Sequence, residues 1–167
     1  MQQPPLLPAE TLVRVLRLAK FDGMSVLLIA GVFALLAATA GDFSGALIGL
    51  LAAGAGAVEL HGVSLLGERE PRGMRWLVGS QLFLLFSILV YCAVRMAHLE
   101  LPPVPDMFVP LVDASAQQLG MSREEYMTFV QRLGLQAVAV VSFFYQGGMA
   151  FYYHRRRVAV TRALAEG

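Results

Sequence analysis

The sequence predicts an all-α membrane protein in which four transmembrane helices form a bundle. Its 167 residues are 57% hydrophobic and only 15% charged, whereas soluble domains average about 45–50% apolar and about 25% charged residues. Four apolar runs each approach the roughly 20 residues that a helix needs to cross a hydrocarbon core. The runs lack the period-two alternation of barrel strands, so helices are the remaining way to pair every backbone group in lipid.

The apolar runs fix the expected order of elements within a single membrane domain, residues 1–167. Ser122 followed by Glu125 is a capping-box pattern, so the helix of the fourth span should begin near Arg123. Residues 99–122 are rich in proline yet partly apolar, and we expect them to form an external, periplasmic segment. The predicted spans are residues 24–41, 43–66, 76–97 and 133–153.

Basic residues near the span ends predict the orientation. Ten of the 13 Lys and Arg residues lie before span one, between spans two and three, or after span four. The positive-inside rule then places both termini in the cytoplasm of a multi-pass inner (plasma) membrane protein. Residues 38–40 imitate a secretory cleavage site, but the basic stretch before them is too long for a signal peptide.

Residues 9–22 predict an amphipathic helix that lies along the cytoplasmic interface. Asp22 and Gly23 then resemble a turn that would lead the chain into span one. The apolar and polar faces have a helical spacing. The apolar face comprises Leu12, Val15, Leu16 and Ala19, and the polar face comprises Glu10, Arg14 and Arg17.

Small residues recur every fourth position along span two. Such rows let helix backbones approach closely in a membrane. The face serves either packing within the bundle or an interface with another protomer or a partner membrane protein, and the pattern leaves both open. Its members are Gly45, Gly49, Ala53 and Ala57.

Glu59 is the least ordinary residue of the spans, because a charged side chain at membrane depth costs several kcal/mol. Gln81 and Gln146 lie at a comparable depth on spans three and four. The three could form hydrogen-bonded glue between helices, or Glu59 could contact a proton or cation in a cavity or pore, or it could face lipid. His61 and Arg95 complete the pore or binding candidates, with Arg95 either snorkelling outward or pairing with Asp113.

The sequence argues against several other classes of function. Nucleophile, zinc-protease, phosphate-loop and dinucleotide motifs are absent, so no catalytic residue, enzyme activity or cofactor is predicted. Glu59 and His61 lie about 200° apart around a helix and cannot share a metal ion. Cys92 is the single cysteine, which excludes an internal disulfide. A net charge of +1 without a basic face argues against nucleic-acid binding.

Two classes of function remain for a chain whose partners include the lipid bilayer. The favoured one is an oligomeric channel or transporter for an ion or small solute, with the intramembrane carboxylate of Glu59 on the route. The alternative is a non-catalytic accessory or scaffold subunit that binds another membrane protein through the small-residue face of span two. The two readings differ in whether Glu59 or the small residues carry the function.

Overall fold

A computed structural model of the chain describes residues 7–99, 101 and 104–166, and within these ranges all regular structure is helical. The elements follow in the order α1 Pro8–Thr39, α2 Phe43–Gly67, α3 Gly73–Ala97, a 3-10 turn Asp106–Phe108, α4 Val109–Gln118 and α5 Arg123–Glu166.

Four of these helices, α1, α2, α3 and α5, are long and apolar enough to cross a membrane. The chain is therefore a helical membrane protein, as the composition predicts. The start of α5 at Arg123 is also confirmed. Its capping box is formed: the Ser122 N–H donates to Glu125 Oε2 at 2.8 Å, and the Glu125 N–H donates to Ser122 Oγ at 3.3 Å.

The turn expected at Asp22 and Gly23 is wrong, because α1 runs through both residues without a break. Asp22 is buried and accepts hydrogen bonds from side chains of other helices. Gly23 is buried where α1 meets α2: a Cβ there would lie 3.2 Å from the Gly56 carbonyl oxygen. Packing against other helices therefore holds in helical form two residues that favour a turn in isolation.

A tight turn joins α1 to α2. Gly41 has φ 77°, a left-handed conformation that glycine adopts without the strain of a Cβ. Asp42 is the N-cap of α2, and its side chain accepts the Gly45 N–H at 2.9 Å. The turn brings the end of α1 back along α2, so the two helices pack as antiparallel neighbours.

By its contacts the chain divides into two compact units, Met1–Ile88 with Ser142–Gly167, and Leu89–Val141. The core of the first unit draws on four helices, α1, α2, α3 and α5. The buried hydrophobic side chains that form its main cluster are Val15, Ala19, Leu66, Met74, Leu77, Tyr153 and Val160. Helices α1 and α2 approach closely, since a Cβ on Gly49 would lie 2.8 Å from the Cβ of Ala34.

The second unit contains α4, in the segment expected to lie outside the membrane. Gly120, with φ 66°, ends α4 in the left-handed conformation typical of helix termini. Arg123 then donates two hydrogen bonds of 2.6 Å to the Asp113 carboxylate. The suggested Arg95–Asp113 pair is wrong: Arg123 is ten residues from Asp113 and reaches it with both arms of its guanidinium.

The Asp113–Arg123 pair predicts a local loss of order in acid. The hydrogen bonds from Arg123 lower the pKa of Asp113 below its ordinary value of 3.8. A lowered pKa means that the pair stabilises the fold above about pH 4 and that this contribution is lost as pH falls through the folded-state pKa. We expect the amides of α4 to lose protection against hydrogen exchange at pH 3, beyond the change that the intrinsic pH dependence of amide exchange produces. In the Asp113→Asn variant the amides of α4 should exchange faster than in the wild type already at pH 6. Equal exchange rates in the variant and the wild type at pH 6 would show that the pair does not stabilise α4.

Candidate functional site

Two acidic side chains meet inside the first unit. Asp22 of α1 and Glu59 of α2 both accept a hydrogen bond from the Gln81 amide of α3. Gln81 Nε2 lies 2.7 Å from Asp22 Oδ2 and 2.9 Å from Glu59 Oε2. One amide group therefore bridges two carboxyl groups, here called the acid pair.

Two tyrosines of α5 bind the remaining oxygens of the acid pair. The Tyr145 hydroxyl donates to Asp22 Oδ1 at 2.8 Å, and the Tyr153 hydroxyl donates to Glu59 Oε1 at 2.8 Å. The five side chains form a continuous hydrogen-bonded chain that crosses α1, α2, α3 and α5. This chain, Tyr145–Asp22–Gln81–Glu59–Tyr153, is called the acid cluster below.

The close approach of α1 and α2 explains how the two carboxyl groups come together. A Cβ on Gly56 would lie 2.7 Å from the Leu27 backbone nitrogen and 2.8 Å from the Gly23 carbonyl oxygen. Glycine at this position thus lets the two backbones touch. Asp22 directly precedes Gly23, and Glu59 follows Gly56 by less than one helical turn, so the glycine contact sets the two acids side by side.

The acid cluster is buried at one end and open at the other. Glu59 is 2% exposed, Gln81 1% and Asp22 5%, whereas Tyr145 is 49% exposed. By helix rise, Glu59 lies about 12 Å before the end of α2, and Gln81 lies about the same distance after the start of α3. The acids thus sit well inside the apolar helices, and Tyr145 is the place where the cluster reaches the surface of the unit.

The acid pair carries no positive partner. In the part of the chain that the structure describes, neither acid forms an ion pair; the pairs present there are Glu70–Arg72 and Asp113–Arg123. Hydrogen bonds from neutral amide and hydroxyl groups reduce the cost of a buried carboxylate, but they leave its charge in place. Two adjacent carboxylates in an apolar interior therefore favour the uptake of a proton or a cation.

One acceptor within the acid cluster also lacks a donor. Gln81 Oε1 is buried, and no hydrogen-bond donor among the described residues reaches it. Its amide nitrogen is fully used, since each of its two N–H groups faces one carboxyl group. A buried acceptor without a donor is unfavourable, so the amide of Gln81 remains in this orientation at a cost that its two hydrogen bonds to the acids offset.

The structure brings together two of the five pore or binding candidates, Glu59 and Gln81. Gln146 is buried, but α5 reaches the acids through tyrosines, and Gln146 Oε1 has no donor among the described residues. His61 is exposed and packs edge-on against Trp76, with 5.3 Å between ring centroids. Arg95 is half-buried in the second unit.

The small-residue face of α2 is directed mainly toward α1. Gly49 lies against Ala34, and a Cβ on Gly45 would meet the Cβ of Ala37 at 3.2 Å. Ala53 is also buried, whereas Ala57 is exposed. The first part of the row thus packs within the unit.

The sequence interpretation missed three members of the acid cluster. Asp22 was assigned to a turn, although an acid next to an apolar run is itself a sign of a buried polar contact. Tyr145 and Tyr153 are absent from the candidate residues that the sequence suggests. Their spacing of eight residues places them on one helical face, and this spacing is the signal that could have identified them.

The donor set of the acid cluster restricts its chemistry. In the described ranges no group of three or more His, Cys, Asp or Glu side chains could hold a metal ion. Two carboxyl groups and an amide oxygen are hard oxygen ligands, which suit protons and cations such as Na⁺ and K⁺ rather than soft transition metals. The cluster can therefore exchange a proton or bind a monovalent cation.

Comparison of the chain with protein-family models, with curated proteins and with solved structures finds no match.

Proposed function

We propose that this protein is a small channel or transporter that moves a proton or monovalent cation across the membrane, with the acid pair as its binding site. The observation that carries the proposal is the acid pair itself: two buried carboxyl groups share one amide, and no described residue gives them a positively charged partner. We further propose an inner-membrane location and cytoplasmic termini, as the basic residues near the span ends suggest, and a homo-oligomer, for which the exposed end of the small-residue row, at Ala57, is still accessible.

The acid pair retains unused acceptor positions. An ionised carboxylate offers about four acceptor positions, and each oxygen of Asp22 and Glu59 uses one of them in the acid cluster. A proton or a partly dehydrated cation can occupy the positions that remain. Binding of a proton or cation would neutralise negative charge that the apolar surroundings disfavour, and its release would restore that charge. Transport needs binding that is strong enough for the ion to enter and weak enough for it to leave.

Access to the acid pair is proposed to pass Tyr145, which lies inside the predicted fourth span, so that its exposed side would line a water-filled contact between protomers. This side chain is the exposed end of the acid cluster, and its hydroxyl already touches Asp22. A hydroxyl both donates and accepts hydrogen bonds, so it can hand a proton to a carboxylate or share in the coordination of a cation. Glu59, next to the fully buried Tyr153, would be the inner position.

The accessory-subunit alternative depends on a small-residue face that is free to bind a partner. Gly45 and Gly49 contact α1 and are buried. A partner helix could reach these positions only after α1 moved away. Support for this alternative is correspondingly weaker than for transport.

The proposal is tested by flux through the purified full-length protein in liposomes loaded with a pH-sensitive dye. Either a pH step is imposed with a membrane-permeant anion as the counter-ion, or a K⁺ or Na⁺ gradient is imposed with a protonophore, which converts cation movement into a pH change that the dye reports. Proton or cation movement clearly faster than in protein-free liposomes is expected in at least one condition. Flux equal to that of protein-free liposomes in all three would contradict the proposal.

A further inference from the structure

A second polar site lies in the first unit, apart from the acid cluster. The link between α2 and α3 and the last turns of α5 enclose a cleft of about 620 Å³. Four arginines line it together with Thr161 and two apolar residues, Pro71 and Val158. The arginines are Arg72, Arg75, Arg157 and Arg162.

Three of these four arginines have no acidic partner. Arg72 pairs with Glu70 at 3.1 Å, but no ion pair of Arg75, Arg157 or Arg162 is formed within the ranges that the structure describes. Like charges gathered in one cleft repel each other and raise the local positive potential. The cleft is therefore suited to an anion with several oxygen atoms, since guanidinium groups bind phosphate oxygens in pairs.

The position of the cleft at the ends of α2 and α3 indicates the source of that anion. Pro71 and Arg72 lie in the link beyond the end of α2 at Gly67, and Arg75 lies in the first turn of α3, so the cleft is found where these two apolar helices end. The headgroup layer extends roughly 5–8 Å beyond the hydrocarbon on each side, so the arginines lie at the depth of lipid phosphates. Pro71 and Val158 add an apolar wall beside which the glycerol end of a lipid could pack.

We propose that this cleft binds the phosphate headgroup of an acidic phospholipid. Basic pockets between membrane helices on the cytoplasmic side are a recognised form of lipid site. The bound phosphate joins the α2–α3 link to the end of α5. It thereby connects two of the helices that also hold the acid cluster.

The chain offers a charge-matched control on the same helix. Arg155 and Arg156 neighbour Arg157, yet they line a different cleft, with Phe151 and Tyr152. Their guanidinium groups lie 5.5 Å and 5.7 Å from the ring centroids of Phe151 and Tyr152. Arg155→Gln/Arg156→Gln therefore removes the same charge as Arg75→Gln/Arg162→Gln without touching the proposed site.

The experiment measures lipid binding to the full-length protein by native mass spectrometry. Wild-type protein and both double variants, checked for equal helix content, are titrated with phosphatidylglycerol and with phosphatidylcholine of the same acyl chains. The loss of a hydrogen bond between two charged groups costs about tenfold or more in affinity, so Arg75→Gln/Arg162→Gln should weaken phosphatidylglycerol binding about a hundredfold. Arg155→Gln/Arg156→Gln should weaken it less than about threefold, because only the general surface charge changes.

Three outcomes would overturn the proposal. Equal affinity of the wild type for phosphatidylglycerol and phosphatidylcholine would show that the protein does not recognise the charge of the headgroup. Equal losses in the two double variants would assign binding to general charge rather than to the cleft. Inorganic phosphate that displaces phosphatidylglycerol at equal concentration would identify the ligand as a free phosphate and not a lipid.

Discussion

Glu59→Gln is expected to reduce the flux of the wild-type protein about a hundredfold or more, the usual size of the effect when a positioned proton-transfer group is lost. The substitution keeps the size of the side chain. Its single amide oxygen can still accept from Tyr153, but its NH₂ group then faces the Gln81 amide, which is also a donor, so the helix content of the variant is checked against that of the wild type. The negative charge that attracts a proton or cation is lost. Flux is measured in the dye-loaded liposomes, with protein incorporation matched between samples.

Glu68→Gln provides the matched control for this prediction. Glu68 is exposed at the C-cap of α2, and its side chain accepts a hydrogen bond from Ser64 at 3.2 Å. The control removes an equal charge close to the same helix but leaves the acid pair intact, so its flux should match that of the wild type. If Glu59→Gln conducted as well as Glu68→Gln, the carboxyl group of Glu59 would have no part in transport.

The second large effect is expected on stability, from Gly56→Ala. The added Cβ would lie 2.7 Å from the Leu27 nitrogen and 2.8 Å from the Gly23 carbonyl oxygen. Both are backbone atoms, which cannot move aside without separating α1 from α2. Overpacking of this kind lowers the free energy of unfolding by about 1–3 kcal/mol. The change can be followed by unfolding in mixed micelles, together with the tyrosine environment of the acid cluster.

Gly54→Ala should have the opposite sign, which makes it a sharp comparison. Gly54 lies on the same helix two residues earlier, and a Cβ there would meet nothing within 4 Å. Alanine in place of a helical glycine raises the free energy of unfolding by about 0.5–1 kcal/mol. Similar effects of the two substitutions would contradict the close contact between α1 and α2.

The apolar helices could be predicted from the sequence because their signal is local. Length and hydropathy alone specify α2 and α3, whose predicted and observed bounds differ by at most three residues. The interior of α1 could not be predicted in the same way. Asp22 and Gly23 read as a turn, and what holds them in a helix is distant in the chain: Gln81 lies 59 residues away, and Tyr145 lies 123 residues away.

The sequence predicted at which depth in the membrane the acid cluster lies, but it did not predict which face of α5 points toward the cluster or all of the residues that belong to it. Helix rise places Glu59 and Gln81 at one level, and the structure joins them. The depth of residues on α5 was estimated by taking Tyr153 as the end of the fourth span. The helix in fact continues to Glu166, so Tyr153 lies deeper than that estimate assumed. Tyr153 itself therefore lies level with Glu59 and takes the contact expected of Gln146, which lies on nearly the same helical face two turns away.

The most direct test of the account is infrared spectroscopy of the acid pair in membranes, in neutral buffer without Na⁺ or K⁺. If the acid pair is on a transport route, the wild type should show the carbonyl band of a protonated carboxyl group. The band should shift within minutes of transfer to deuterated water and be absent in Glu59→Gln. Exposed acids are ionised at neutral pH and do not contribute. A band that resists exchange, or the lack of any band that depends on Glu59, would contradict the account and leave the acid cluster as a static link between helices.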